Sequence, residues 1–227
     1  MNEIDTLIVS DIHLGSSVSR SQKLLETLKP LTFKRLILNG DIFDDLDFTR
    51  LDHEDWNLLS YFREFANPKR GAEVIWIAGN HDGAAHILSR LIGVPVLNEY
   101  EFTWRGRKCI AIHGHQFDRF LNKNIVISAV ASALYLLIQR IDTERQFISR
   151  FLKRASKSWL RISQKVARGA VRHAEAKGAE VAFCGHTHRE IEQTIAGIDY
   201  YNSGCWTDVP SAYITMDDKG IVIHKVQ

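Results

Sequence analysis

The sequence contains few residues that constrain a chain covalently or conformationally. It has only 3 cysteines and 4 prolines in 227 residues. The cysteines, Cys109, Cys184 and Cys205, are odd in number and show no CxxC spacing, so we expect reduced, buried thiols in a core that needs no disulfides. With 14 glycines, 45% apolar and 25% charged residues, the composition is that of a globular protein and excludes collagen-like and disordered chains.

Long hydrophobic segments are also lacking. The uncharged run Ile125–Ile138 has 14 residues, and a membrane-spanning helix needs about 20. The N-terminal segment starts with acidic residues and has only a short apolar run that ends before Asp11. A secretory signal would need a basic start and a longer apolar core, so we expect a cytoplasmic protein.

The small net charge of +2 hides an uneven distribution. Residues 119–168 contain 11 Lys and Arg but only two acidic residues, whereas the rest of the chain has 18 basic and 25 acidic residues. One segment is therefore chemically unlike the body of the protein. Such a basic segment favours contact with anionic surfaces or phosphorylated ligands.

Short runs rich in Ile and Val predict strands that are buried on both faces. The predicted strands are Thr6–Ser10, Leu36–Leu38, Glu73–Ala78, Lys108–Ile112 and Glu180–Cys184. Helical patterns separate the first three strands, and the sequence also predicts two hairpins. The helices are Ser21–Leu28, Asp52–Ala66 and Ala84–Leu91; the hairpins are 100–112 and 211–226. This pattern predicts one α/β domain over residues 1–227, with a basic helical insertion at about 118–177.

Five short motifs follow predicted strands and contain six of the ten histidines. They are Asp11-Ile12-His13, Gly40-Asp41, Gly79-Asn80-His81-Asp82, His113-Gly114-His115 and Gly185-His186-Thr187-His188. Side chains at the carboxyl ends of neighbouring strands converge in α/β sheets. Carboxylate and imidazole donors suit Mn²⁺, Fe or Zn²⁺. The sequence therefore predicts a metal site.

The ordered set D-x-H, G-D, G-N-H-D, H-G-H and G-H-x-H resembles the calcineurin-like metallophosphoesterases. The resemblance implies two mixed β-sheets flanked by helices in a four-layer αββα sandwich, with a two-metal site between loops. It also implies that Asp11, His13 and His188 hold one metal, that Asn80, His113 and His186 hold the other, and that Asp41 bridges them. We expect two divalent ions, with Mn²⁺ favoured over Fe or Zn²⁺.

A two-metal centre of this kind would cleave a phosphoester or pyrophosphate bond by attack of a hydroxide held between the metals. We expect His81 to assist catalysis by donating a proton to the leaving oxygen or by stabilising the phosphoryl group. Asp82 is a second predicted catalytic residue, or it orients the loop. The predicted substrate-binding residues are Asn80, His81, His115, Asp118, Arg154, Lys157 and Arg189.

Within this superfamily, the chain most resembles the UDP-2,3-diacylglucosamine pyrophosphohydrolases of lipid A synthesis. The length, the G-H-T-H-R motif at 185–189, the segment 170–184 before it and the Asn-Ser-Gly-Cys-Trp motif at 202–206 carry this resemblance. In those enzymes the helical insertion forms a lid over acyl chains. The resemblance implies a lipid-linked nucleotide as substrate, and the basic insertion predicts contact with an anionic membrane at its inner face.

Other substrates stay open because the lipid A enzymes usually have Arg at the position of His81 and Asp at that of His115. The alternative interpretation is a soluble phosphodiesterase or phosphatase. A nuclease is a weaker alternative, and we do not expect a nucleic-acid partner, because the basic segment has few interleaved aromatic residues. For the insertion itself, simple packing of its apolar face on the body is the competing explanation.

Overall fold

The fold is taken from a computed structural model, which describes residues 4–67, 69, 72–83, 85–118 and 157–227. Two mixed sheets form its centre, with strand orders β11-β10-β1-β2-β3-β4 and β5-β6-β7-β9-β8. The first sheet consists of β1 (Ile4–Val9), β2 (Phe33–Asn39), β3 (Glu73–Ile77), β4 (Val96–Leu97), β10 (Ser211–Asp217) and β11 (Gly220–Val226). The second consists of β5 (Glu99–Trp104), β6 (Arg107–Ile112), β7 (Val181–Cys184), β8 (Glu190–Ile195) and β9 (Ile198–Ser203).

Helices cover the outer face of each sheet. Three of them, α1 (Ser21–Leu28), α2 (His53–Phe65) and α3 (Ala85–Ile92), pack on the first sheet, and α4 (Lys157–Ala176) packs on the second. Between the two sheets lies a separate apolar cluster that includes Ile8, Ile37 and Phe183. The predicted four-layer α/β sandwich is therefore confirmed.

Buried apolar strands explain why the two sheets stack. In β1, Leu7 and Val9 face the helices while Ile8 faces the second sheet, and all three are fully buried. Successive side chains of a strand point to opposite faces, so a strand that is apolar on both faces is stable only between two layers.

Parallel pairing brings the motifs together. β1 pairs with β2 and β2 with β3 in parallel, as do β6 and β7 in the second sheet. Backbone hydrogen bonds then join the turns after these strands: Asp11 N–H donates to the Gly40 carbonyl, and Gly185 N–H to the His113 carbonyl. The carboxyl ends of strands from both sheets therefore meet at one edge of the sandwich.

Most predicted elements agree with the structure to within a few residues, including both hairpins. The hairpin of β8 and β9 was not predicted. Its strand β8 alternates between partly buried and exposed positions without a strong apolar run, and its turn at Ala196 and Gly197 has positive φ values. The alternation of a half-exposed edge strand gives a weaker signal than a buried strand.

The helix α4 packs closely on the second sheet. Its small residues Ala167, Ala170 and Ala174 are fully buried against the second sheet. Gly169 lies so close to the short 3₁₀ helix His115–Phe117 that an added Cβ would be 2.6 Å from the Cβ of Phe117. Residues 157–176, in the C-terminal part of the predicted insertion, therefore pack directly on the sandwich.

The remaining predictions for the insertion fall on residues 119–156, which lie outside the described part of the chain. These include the apolar run Ile125–Ile138 and Arg154. Across the described ranges, no helix has both the length and the apolar character required to cross a membrane.

Candidate metal centre

Strained turns present the predicted ligands. Five of them have positive φ values: Asp11, His13 and Asp41 at 52°, His186 at 65° and His188 at 51°. Non-glycine residues rarely adopt this region, and strain of this kind collects at functional sites. The strain is held by neighbouring groups, since the N–H of His13 donates to the Asp41 carbonyl and the N–H of His186 donates to the Asp11 carboxylate.

A first cluster contains Asp11, His13 and His188. His188 Nε2 lies 3.2 Å from Asp11 Oδ1 and 3.2 Å from His13 Nε2. Two ligands that each bind one ion at about 2.0–2.2 Å are separated by roughly 3.0–3.4 Å. The three side chains therefore converge as ligands of one cation would.

A second cluster contains Asp41, His113 and His186. Asp41 Oδ2 lies 3.2 Å from His113 Nε2 and 3.9 Å from His13 Nε2 of the first cluster. Asp41 thus stands between the two clusters, where the sequence predicts a bridging carboxylate. Asn80, predicted to complete the second cluster, lies on the exposed loop after β3.

Several observations show that these side chains fit a pair of divalent cations. The buried Nε2 of His113 lies 3.2 Å from Asp41 Oδ2 without a well-aligned hydrogen bond among the described residues, as expected of two atoms that a metal would bind together. Glycine is required beside the ligands, because a Cβ at Gly40 would overlap the His113 ring and one at Gly79 would overlap the Asp41 carboxylate. Carboxylate and imidazole donors suit Mn²⁺, Fe or Zn²⁺.

Burial and mutual pairing fix the charges of the cluster. Burial raises the pKa of Asp11, but His188 outweighs it and brings the pKa down to about 2. Burial likewise opposes the charge of Asp41, yet His113 holds its pKa well below the usual range. The pKa of His113 is lowered by burial but raised more strongly by Asp41, to about 10. Without metal, protons on imidazoles therefore balance the two carboxylates.

His81 lies at the exposed edge of the clusters. Its backbone N–H donates to Asp41 Oδ1 at 2.9 Å, and its Nδ1 is 2.7 Å from the Asp44 carbonyl. Since a carbonyl only accepts, Nδ1 carries the hydrogen, and Nε2 is left for a ligand. The ring of His81 is 4.8 Å from that of His13. The predicted catalytic histidine is thus adjacent to the predicted metal ligands.

Asp82 holds loops together. It is 2% exposed, and its carboxylate accepts hydrogen bonds from the N–H groups of Ile42, Phe43 and Gly79 and from the Trp76 indole. These bonds tie the loop with Asp41 to the loop with His81. Of the two roles that the sequence leaves open for Asp82, these contacts support orientation of the loop.

The other predicted substrate-binding residues differ in burial and in their distance from the two clusters. The His115 ring is 5.5 Å from that of His113, and burial followed by the nearby His113 and His186 lowers the pKa of His115 to about 4, so it is neutral. Asp118 is buried, with Oδ2 3.3 Å from His186 Nε2. Arg189 is exposed, and Lys157 is the first residue of α4.

Three residues at the site were missed from the sequence. Asp44 lies 3.3 Å from His13 Nδ1 and pairs with Arg50; Thr207 Oγ1 is 3.3 Å from His188 Nδ1. Trp159 Nε1 donates to the carbonyl of Thr187. Asp44 follows the Gly40-Asp41 motif by three residues, a proximity that could have identified it, whereas the other two carry no local signal.

We expect metal binding to displace protons from this site. At pH 7, His113 is protonated in the metal-free protein, because its pKa of about 10 lies above the pH, and an imidazole must lose that proton to bind a metal. Titration of Mn²⁺ into metal-free protein should release about one proton from His113. The measurement is calorimetry in two buffers of different ionisation enthalpy.

In the same experiment, His113→Gln should lose that proton release, and His53→Ala, at an exposed histidine of α2, should retain it. Equal heats in both buffers for the unmodified protein would contradict the charge assignment.

Comparison with solved structures finds the same fold at low identity. An archaeal phosphodiesterase has 14% identity and a TM-score of 0.52, with 97% of this chain and 99% of that chain covered. Yfce, a phosphoesterase from E. coli, has 16% identity and a TM-score of 0.51, with 94% and 88% covered. A Vps29 mutant from Entamoeba histolytica has 13% identity and a TM-score of 0.50, with 97% of both chains covered.

The sequence itself matches one family model over most of its length. The model describes the calcineurin-like phosphoesterase superfamily domain, and residues 4–219 match it. No curated protein matches the sequence at a significant level. The chain therefore belongs to the calcineurin-like phosphoesterase superfamily and is a metal-dependent phosphoester hydrolase.

Proposed function

We propose that this hydrolase cleaves a phosphodiester or pyrophosphate bond, and that UDP-2,3-diacylglucosamine, cleaved to UMP and lipid X, is its substrate. The observation that carries the chemistry is the meeting of two ligand clusters at Asp41, with the His81 ring exposed at their edge. The lipid-linked substrate is supported by the G-H-T-H-R and Asn-Ser-Gly-Cys-Trp motifs of the sequence.

The chain's own residues prepare the reaction. Asp11, Asp41 and the histidines would hold two divalent cations, which supply Lewis-acid stabilisation of the phosphoryl oxygens and a water of lowered pKa. The carbonyl of Asp44 accepts a hydrogen bond from His81 Nδ1 and so orients the His81 ring. In its protonated form, His81 then donates the Nε2 proton to the leaving oxygen. Asp82 keeps His81 and Asp41 in register through its loop contacts.

Basic side chains on α4 support an anionic partner. Arg161, Lys165, Arg168 and Arg172 are all exposed, and their spacing places them on one side of the helix. None of the four forms an ion pair with another residue of the described ranges. The apolar face of α4 is buried against the second sheet, so this row would contact anionic headgroups by charge alone.

A soluble phosphodiesterase acting on another substrate is the second candidate. It is supported by His81, where the lipid A enzymes usually have Arg, and by the fold shared with an archaeal phosphodiesterase.

The substrate proposal is tested by product release. We expect purified protein with Mn²⁺ to release UMP from UDP-2,3-diacylglucosamine dispersed in detergent. Bis-p-nitrophenyl phosphate serves as a generic diester in parallel. Turnover of the generic diester without UMP release would discard the lipid substrate and favour the soluble phosphodiesterase.

The role of His81 is tested by substitution. His81→Ala should keep both metals and lower kcat by about 10²-fold or more for a poor leaving group, since a general acid contributes that much. A good leaving group such as p-nitrophenolate needs no protonation, so the loss should be much smaller with it. The matched control is His53→Ala. Equal losses for both leaving groups would contradict proton donation.

The basic row is tested with lipid vesicles. The full chain should sediment with vesicles that contain phosphatidylglycerol and stay in solution with neutral phosphatidylcholine vesicles. The double variant Lys165→Gln, Arg168→Gln should sediment less, and the charge-matched control Lys29→Gln, Arg63→Gln, on the other helical layer, should sediment as the unmodified protein. Identical sedimentation of both double variants would refute contact through α4.

A further inference from the structure

The turn that carries His186 and His188 is held by residues outside the five motifs. Both histidines have positive φ values, so their conformation depends on neighbouring groups. One of these residues is Asn202 of β9, whose Nδ2 donates to the carbonyl of Gly185 at 2.6 Å and to Thr187 Oγ1 at 3.2 Å. Two further contacts come from Asp118 and Trp159.

Asp118 contacts the His186 ring directly. Its Oδ2 lies 3.3 Å from His186 Nε2, and the residue is only 7% exposed. A metal-binding histidine usually donates its other ring N–H to a carboxylate or carbonyl, which fixes the tautomer and the orientation of the ring. With Nε2–H directed to Asp118, Nδ1 keeps its lone pair, and His186 belongs to the cluster with Asp41 and His113.

Trp159 also contacts this turn. Its indole Nε1 donates to the carbonyl of Thr187 at 3.1 Å, and Thr187 is 1% exposed. Thr187 directly follows His186, so a hydrogen bond to its carbonyl restrains the turn that carries His186. Trp159 lies near the start of α4, a helix whose buried alanines fix it on the second sheet.

The two contacts belong to one packed unit. Asp118 directly follows the 3₁₀ helix His115–Phe117, and the Phe117 side chain packs against Gly169 of α4. The two residues are separated by 119–158 in sequence and yet contact two consecutive residues, His186 and Thr187.

We propose that Asp118 and Trp159 are positioning residues that hold His186 in the orientation required to bind the second metal. The proposal rests on metal binding by the two clusters and is independent of the substrate. It gives Asp118 a role that acts through His186, in place of the substrate contact that the sequence predicts.

Mn²⁺ titration of the metal-free full chain tests this proposal without any substrate. The unmodified protein should bind two ions. In Asp118→Asn, affinity for the second ion should fall by about 10- to 100-fold, the usual effect of losing such a partner, while affinity for the first stays the same. Asp118→Glu, which retains a carboxylate, should recover part of the loss.

Trp159→Phe retains the ring and removes the donor. This substitution should lower the affinity for the second ion by about two- to tenfold, which corresponds to the net contribution of one hydrogen bond. Trp56→Phe, at a tryptophan that is 43% exposed, is the matched control and should change nothing. Circular dichroism of the metal-free forms checks that each variant is folded. If Asp118→Asn does not fold, the titration of Trp159→Phe alone decides the proposal.

Two results would overturn the proposal. The first is that both variants bind both ions with unchanged affinity while Asp118→Asn raises KM. Asp118 would then be a substrate-binding residue, as the sequence predicts. The other is equal weakening of both ions, which would indicate general destabilisation. Failure to hydrolyse the UDP lipid would leave the titration unaffected, so the two proposals are tested separately.

Discussion

The burial of two carboxylates at the junction of the sheets is the constraint on which the rest of the structure depends. Asp11 is fully buried and Asp41 is 2% exposed. An unpaired buried charge is strongly destabilising, so each carboxylate is surrounded by imidazoles and backbone N–H groups. Because the imidazoles that carry balancing protons are themselves candidate metal ligands, cations would replace protons at the same positions.

This constraint explains local features that are unfavourable in isolation. Five candidate ligands accept positive φ values, and Gly40, Gly79 and Gly185 stand where any Cβ would overlap a candidate ligand or its neighbour. The cost of these conformations is offset by the buried layers on either side. Rigid strands hold the turns, and the turns place the side chains within hydrogen-bond distance of one another.

Much of this could be predicted from the sequence, because the signals are local. The buried strands are short apolar runs, and the ligands follow them in recognisable motifs. The helix α1 was predicted with its observed bounds, Ser21–Leu28. Long-range contacts could not be predicted in this way: the bond from Trp159 to Thr187 joins residues 28 apart, and Asp118 and His186 are 68 apart.

The helix α4 shows what charge alone does not predict. Its exposed basic residues dominate the composition of the segment and give no sign of the face that packs on the second sheet. The alanines and Gly169 on its other side carry little hydrophobic signal individually, yet their small size permits close packing on the second sheet. Whether small residues pack closely depends on the shape of the surface they contact, here the second sheet, and the sequence of the helix does not specify that shape.

The number of metal ions held per chain tests the central claim most directly. Protein prepared without chelators, then dialysed against Mn²⁺, should contain two divalent ions per chain by elemental analysis, and Asp41→Asn should contain at most one. A preparation that binds no divalent ion under these conditions would contradict the account.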